Sequence, residues 1–179
     1  HAARFHDAAC LREDARAIVH DAIGCGDDAV VIFTGSGTTG AIDKLIGILG
    51  LRLPSALDDR YGLSTHIPAE ARPVVFVGPF EHHSNELPWR ESIADVVVIP
   101  EDADGHVDLA ALETELVRHA ERPLKIGSFS AASNVTGILS DTRAVSVLLH
   151  RHGASSFWDF AAAAPYVTIE MAPHRAAPD

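Results

Sequence analysis

The chain is 179 residues long, 47% hydrophobic and 22% charged, with a formal net charge of −11. That length suits one domain that buries roughly 70% of the surface its unfolded chain exposes. The acidic balance argues against nucleic acid and anionic membranes as partners, and no stretch reaches the ~18 to 20 apolar residues of a membrane span.

The first expected element is a helix from Asp7 to Ile23, with Leu11, Ala15, Ile18 and Val19 on one stripe and Gly24 and Gly26 at its end. Ala29 to Thr34 then reads as a strand, followed by a glycine-rich turn and a helix from Thr38 to Leu49 whose apolar face carries Ile42, Leu45, Ile46 and Leu49. Gly50 to Arg72, with Pro54 and Pro68 inside it and Pro73 after it, reads as a long surface connection. Val74 to Gly78, Asp95 to Ile99, Leu124 to Phe129 and Ser155 to Phe160 are further strand candidates. Their nearly continuous apolar character suits strands covered on both faces. Between them lie a turn at Asp104-Gly105 and helices from Leu109 to His119, capped by Asp108, and from Asp141 to His152, closed by Gly153. Short strands alternating with amphipathic helices predict one α/β unit, a mostly parallel sheet flanked by helices. Cys10 and Cys25, with no CxxC spacing, suggest no disulfide framework, so a cytoplasmic setting is expected.

Four segments carry candidate chemistry. Gly35-Ser36-Gly37-Thr38-Thr39-Gly40 joins a strand candidate to a helix, where backbone N–H groups, the helix dipole and two hydroxyls suit an anion. The same glycines spell GxGxxG, so an NAD(P)-binding Rossmann domain is a rival. That reading wants the turn after the first strand and an acidic residue closing the next one, and Asp58 and Asp59 stand only near the required distance. Glu81-His82-His83-Ser84-Asn85-Glu86 follows a strand end, where α/β sheets place ligands. A zinc site there is disfavoured, because adjacent histidines seldom face one metal and the HExxH order is absent. Ser133-Asn134-Val135-Thr136-Gly137 follows another strand. Asp159, set among Phe157, Trp158, Phe160 and four alanines, needs a positive partner if buried: a distant arginine or a cationic ligand.

Taken together, GSGTTG at Gly35 to Gly40, EHHSNELPW at Glu81 to Trp89, SNVTG at Ser133 to Gly137 and WDFAAAAP at Trp158 to Pro165 resemble the large domain of fold-type-I pyridoxal-phosphate enzymes. The resemblance is to the class V aminotransferase and cysteine desulfurase group and spans roughly residues 10 to 166. It implies a partial large domain with pyridoxal 5′-phosphate as cofactor, an amino acid as substrate, and a homodimer. By the same resemblance, Thr38 and Thr39 hold the phosphate, His82 stacks on the ring, Asn134 binds its 3-oxygen and Asp159 pairs with its nitrogen. His82 and Asp159 would be the catalytic pair. Where desulfurases place a glutamine against the cofactor oxygen this chain has Ala162, so a desulfurase reaction is not implied. The family's cofactor-bearing lysine and its small C-terminal domain are expected beyond Asp179, since Lys44 and Lys125 match neither context. A second rival is accordingly a non-catalytic fragment that binds only phosphate-like anions.

Overall fold

The computed structural model describes residues 2–171. Its contacts divide the chain into two compact units, Gly35–Ala163 and the pair of flanking segments His1–Thr34 and Ala164–Asp179.

In the larger unit, β1 (Val74–Val77), β2 (Asp95–Val98), β3 (Lys125–Ser130) and β4 (Ser155–Asp159) form one parallel sheet in the order β2-β1-β3-β4. Four of the five runs read as strands in the sequence are these strands, to within a residue at either end. Parallel neighbours need crossovers, and helices supply them. The crossovers carry α4 (His83–Arg90), α5 (Leu109–Arg118) and α6 (Thr142–Arg151), while α1 (Ala2–Ala22), α2 (Gly37–Ile48) and α3 (Ser55–Tyr61) precede β1.

Successive residues of a strand face opposite ways, and the sheet uses both faces. Val74, Phe76 and Phe129 pack with Leu112 and Leu116 of α5 and with Val145 and Leu149 of α6. Val75, Val77 and Ile126 pack on the other side with Ile42 and Ile46 of α2 and Trp89 of α4. At about 1.5–3 kcal/mol for each large side chain removed from water, these two layers are the main source of stability. The helix starts are fixed locally: Asp108 accepts from the N–H groups of Ala110 and Ala111, each at 2.9 Å, and Asp141 from that of Ala144 at 2.8 Å.

The long surface connection from Gly50 to Arg72 contains α3 and 3₁₀ turns at Leu63–His66 and Ala69–Ala71. The Asp58 carboxylate accepts from Ser64 N–H at 2.7 Å, and Arg72 donates to the carbonyls of Ser64 and Ile67 at 2.9 and 3.3 Å. Side-chain bonds thus compensate for the prolines that interrupt longer elements. One expectation requires correction: Ala29 to Thr34 is not a strand, because it pairs with no other segment among the described residues. An apolar run favours extended backbone, but a ladder needs a neighbour to receive its N–H and C=O groups.

In the smaller unit, α1 (Ala2–Ala22) ends in a turn where Cys25 N–H donates to the His20 carbonyl at 3.1 Å. Arg16 donates to the Val31 carbonyl at 3.2 Å and lies over the Phe33 ring at 5.7 Å. Leu11, Ile18, Val30, Ile32 and Phe33 remain exposed, so the apolar stripe expected on this helix is largely open.

Candidate functional site

Three strands of a parallel sheet end side by side, and each continues into a polar segment. β1 leads to Glu81 and His82, β3 to Ser133 and Asn134, and β4 closes on Asp159. The start of α2 completes the ring. These segments enclose a cavity of about 410 Å³ lined by Ser36, Gly37, Thr38, Thr39, His82, Ser84, Ser130, Asn134 and Asp159, with Ala132, Ala161 and Ala162. The size is that of a small-molecule pocket, roughly 300–1,000 Å³. All five residues assigned roles by resemblance, Thr38, Thr39, His82, Asn134 and Asp159, therefore meet at one place.

The α2 end is built from backbone. Ser36 and Gly37 take left-handed conformations, with φ 66° and 62°, and among the described residues no side chain caps the helix. Its first N–H groups are left to an outside acceptor, in the field of a helix N-terminus. Gly40 must be glycine for this turn, since a Cβ there would lie 2.0 Å from the Gly35 carbonyl oxygen. The Thr38 hydroxyl donates to Asp159 Oδ1 at 3.2 Å, and the Thr39 hydroxyl donates to Ser84 Oγ at 3.0 Å.

His82 stands where α4 begins. The Ser84 N–H donates to its Nδ1 at 3.2 Å, so His82 caps the helix, and Ser84 Oγ lies 2.9 Å from the same nitrogen. Because a backbone N–H can only donate, Nδ1 must accept and the neutral ring carries its hydrogen on Nε2. Hydroxyls from Thr39 and Ser84 thereby link the α2 end of the cavity to the imidazole.

Asn134 is exposed in a tight turn. The buried Ser133 hydroxyl receives the N–H groups of Val135 and Thr136 at 3.3 and 3.2 Å, and Gly137 takes φ 75°. Asp159 is half-buried and also accepts from the Ala161 N–H at 2.8 Å. With the Thr38 hydroxyl, this gives Asp159 two neutral donors. Among the described residues no lysine or arginine bridges it, so a positive partner is still wanting. Lys44 is exposed on α2, Lys125 donates to the Ala120 carbonyl at 3.1 Å, and neither lines the cavity.

Glu81 was visible in the sequence only as part of a phrase, yet it is the most heavily bonded carboxylate here. Its Oε1 accepts from the N–H groups of Gly78 and Ser130 at 3.2 and 2.8 Å, and its Oε2 from Asn85 Nδ2 and Ser130 Oγ at 2.6 and 2.7 Å. Burial pushes the Glu81 carboxyl above the usual range, against the downward pull of the donors from Asn85, Ser130 and Gly78. The alternation of Ser128 and Ser130 along an otherwise apolar strand was the available signal for polar groups facing α4.

The Rossmann rival fails on geometry. The segment before the glycine turn belongs to no sheet among the described residues, and Asp58 and Asp59 lie in α3, not at a strand end.

Comparison with known proteins identifies the family and the fold. A family model described as aminotransferase class-V matches residues 2–175. A probable cysteine desulfurase from Chlamydia muridarum is 30% identical over 153 residues, covering 83% of this chain and 33% of that protein. One from Halalkalibacterium halodurans is 29% identical over 101 residues, 54% of this chain and 24% of that protein. The chain thus spans about a quarter to a third of the length of these relatives. A crystal structure of a cysteine desulfurase from Escherichia coli superposes with a TM-score of 0.63 at 24% identity, over 88% of this chain and 36% of that one. A glutamate decarboxylase domain from Vibrio parahaemolyticus gives 0.63 at 16% identity, over 86% of this chain and 34% of that one, which shows a shared fold.

Proposed function

Because the chain belongs to the class-V aminotransferase family, we propose that its cavity holds pyridoxal 5′-phosphate, as the cofactor-binding part of an enzyme acting on an amino acid. The observation that carries this reading is the convergence of Thr38, Thr39, His82, Asn134 and Asp159 on one pocket. The donor set fits the group: uncapped N–H groups and hydroxyls at one side, and at another a half-buried carboxylate with no cationic side chain bridging it among the described residues. When bound, pyridoxal phosphate supplies an electron sink for a carbanion at the substrate carbon.

The protein's part is to bind, orient and hold charge. The α2 backbone, with Thr38 and Thr39, holds the phosphate by neutral donors and the helix dipole. Thr38 must first give up its bond to Asp159 if its hydroxyl is to serve the phosphate. Asp159 then holds a proton at the ring nitrogen, as a carboxylate beside a cation does. His82 covers one face of the ring, its tautomer held by Ser84. Asn134 offers its amide to the 3-oxygen. Ala162 adds only a methyl group to the wall, which leaves transamination, desulfuration, elimination and epimerisation as candidate reactions.

We read the protein as a cytoplasmic homodimer. Both cysteines are free, which suits a reducing setting, and no helix among the described residues is long and apolar enough to cross a membrane. The exposed Leu11, Ile18, Val30, Ile32 and Phe33 are suited to self-association. Light scattering is expected to give twice the chain mass, and a monomer at every concentration contradicts the assembly.

Equilibrium titration tests the site. Pyridoxal phosphate is expected to bind more tightly than inorganic phosphate, and Asp159→Asn and His82→Ala to remove that difference. Equal affinity for both ligands in the unaltered chain would favour the second reading, a pocket that takes phosphate-like anions alone.

A further inference from the structure

Behind His82 runs a row of polar groups that no step above uses. Trp89 Nε1 lies 3.0 Å from Ser128 Oγ, Ser128 Oγ lies 2.7 Å from Asn85 Oδ1, and Asn85 Nδ2 lies 2.6 Å from Glu81 Oε2. Trp89, Asn85 and Ser128 are almost wholly buried, at 0%, 0% and 1% exposure. The direction of every bond follows from one end. An indole N–H can only donate, so Ser128 receives it and keeps its own hydrogen for the Asn85 carbonyl. With that oxygen engaged, Asn85 must turn its NH₂ toward Glu81. The last member must therefore accept, and Glu81 accepts on both oxygens, adding the two backbone N–H groups of Gly78 and Ser130 and the Ser130 hydroxyl.

A row of this kind ties three elements to one carboxylate: the end of β1 through Gly78, β3 through Ser128 and Ser130, and α4 through Asn85 and Trp89. The residue after that carboxylate is His82. Its backbone is fixed on one side by Glu81 and on the other by α4, and its ring is held by Ser84. We infer that Glu81 is the positioning residue of His82, holding the imidazole at the cavity in its Nε2–H form. This rests on reading the cavity as a cofactor site, because that reading gives the position of His82 its use.

The substitution Glu81→Gln separates the role from mere filling of space, since it keeps the shape. Either orientation of the new amide sets its NH₂ against a donor, the Asn85 NH₂ on one side or the Gly78 and Ser130 N–H groups on the other. The loop must shift, and His82 shifts with it. Nitrogen-resolved NMR of histidine-labelled protein, with His82 assigned by its loss in His82→Gln, reads this directly and without cofactor. The unaltered chain is expected to show one unprotonated and one protonated imidazole nitrogen at His82. Glu81→Gln is expected to bring the two signals together as the ring samples both tautomers. Affinity for pyridoxal phosphate is expected to fall by about tenfold, by analogy with the loss met when partners that orient a metal-ligating histidine are removed.

A folded Glu81→Gln protein with unchanged His82 signals and unchanged affinity would overturn the inference. If that variant does not fold, Ser128→Ala is read in the same way: it touches neither His82 nor the cavity, yet frees Asn85 to turn. If the unaltered chain fails to bind pyridoxal phosphate, the cofactor reading falls, and the imidazole signals alone decide the part played by Glu81.

Discussion

The Thr38 hydroxyl donates to the Asp159 carboxylate at 3.2 Å, joining the first turn of α2 to the end of β4 across 121 residues of chain. With the Ala161 N–H at 2.8 Å, it gives Asp159 two neutral donors and no cation among the described residues. An asparagine oxygen at the same position accepts both bonds. Asp159→Asn is therefore expected to change stability by no more than about 1 kcal/mol. Affinity for pyridoxal phosphate should fall about 10- to 100-fold, the worth of a hydrogen bond to a charged group. Thermal melting and ligand titration on the same variant check this. A loss of several kcal/mol without any change in affinity would mark Asp159 as a structural ion-pair partner instead.

Glu81 sets burial against hydrogen bonding, and pH tells which prevails. Burial raises the folded carboxyl above its ordinary value near 4.5. In the window between the unfolded and the raised folded pKa, the folded state binds more protons than the unfolded one. Stability contributed by this group is then fully present below about pH 4.5 and lost as pH rises through the folded value. The stability of the unaltered chain minus that of Glu81→Gln should accordingly decline across that window, as measured by urea denaturation at stepped pH. A difference that grows with pH would show that the bonds from Asn85, Ser130 and Gly78 outweigh the loss of solvent.

Gly127 lies in the middle of β3, where a Cβ would stand 2.4 Å from Leu149 Cδ1 and 2.9 Å from a Phe129 ring carbon. Both neighbours are fully buried, so neither can swing into solvent. Gly127→Ala is expected to destabilise the fold by about 1–3 kcal/mol through overpacking, with the midpoint of denaturation as the measure. A neutral effect would mean that α6 moves off the sheet at little cost.

β1 was legible because it is covered on both faces, which leaves the continuous apolar run Val74 to Val77, whereas the edge strands β2 and β4 are only partly buried and were legible from their β-branched and aromatic residues. Helix starts were legible where the cap lies in the local sequence, as at Asp108 and Asp141. Ala29 to Thr34 was misread because strand propensity is local, whereas pairing depends on a partner elsewhere in space. Asp58, which organises the Gly50 to Arg72 segment, reaches Ser64 over a short distance, but prolines and glycines masked the helix it belongs to. The phrases singled out Thr38, Thr39, His82, Asn134 and Asp159, which line one cavity. Glu81 was not given a role, because its partners Gly78, Asn85 and Ser130 come together only once β1 and β3 pair. Ser84 was missed for a related reason: a serine two residues after a histidine has no evident task until the helix places its N–H against the ring.

The remaining prediction concerns the two lysines. Covalent attachment of an aldehyde cofactor needs an amine held within bonding reach of its carbonyl. Lys44 projects from an exposed position of α2, and the Lys125 ammonium is engaged by the Ala120 carbonyl at 3.1 Å. The cavity wall contains neither, although it contains Thr38 and Thr39 from the same helix as Lys44. Mixing the chain with pyridoxal phosphate and reducing with borohydride is therefore expected to leave no stoichiometric label on either residue, as read by peptide mass analysis. Faint labelling of the exposed Lys44 should scale with reagent concentration and persist in Asp159→Asn, since it would not depend on the cavity. A single saturable adduct at Lys44 or Lys125 that disappears in Asp159→Asn would place that amine beside the bound cofactor. It would show that α2 or β3 presents a different face to the ligand, and the roles given to Thr38 and Thr39 would have to be reassigned.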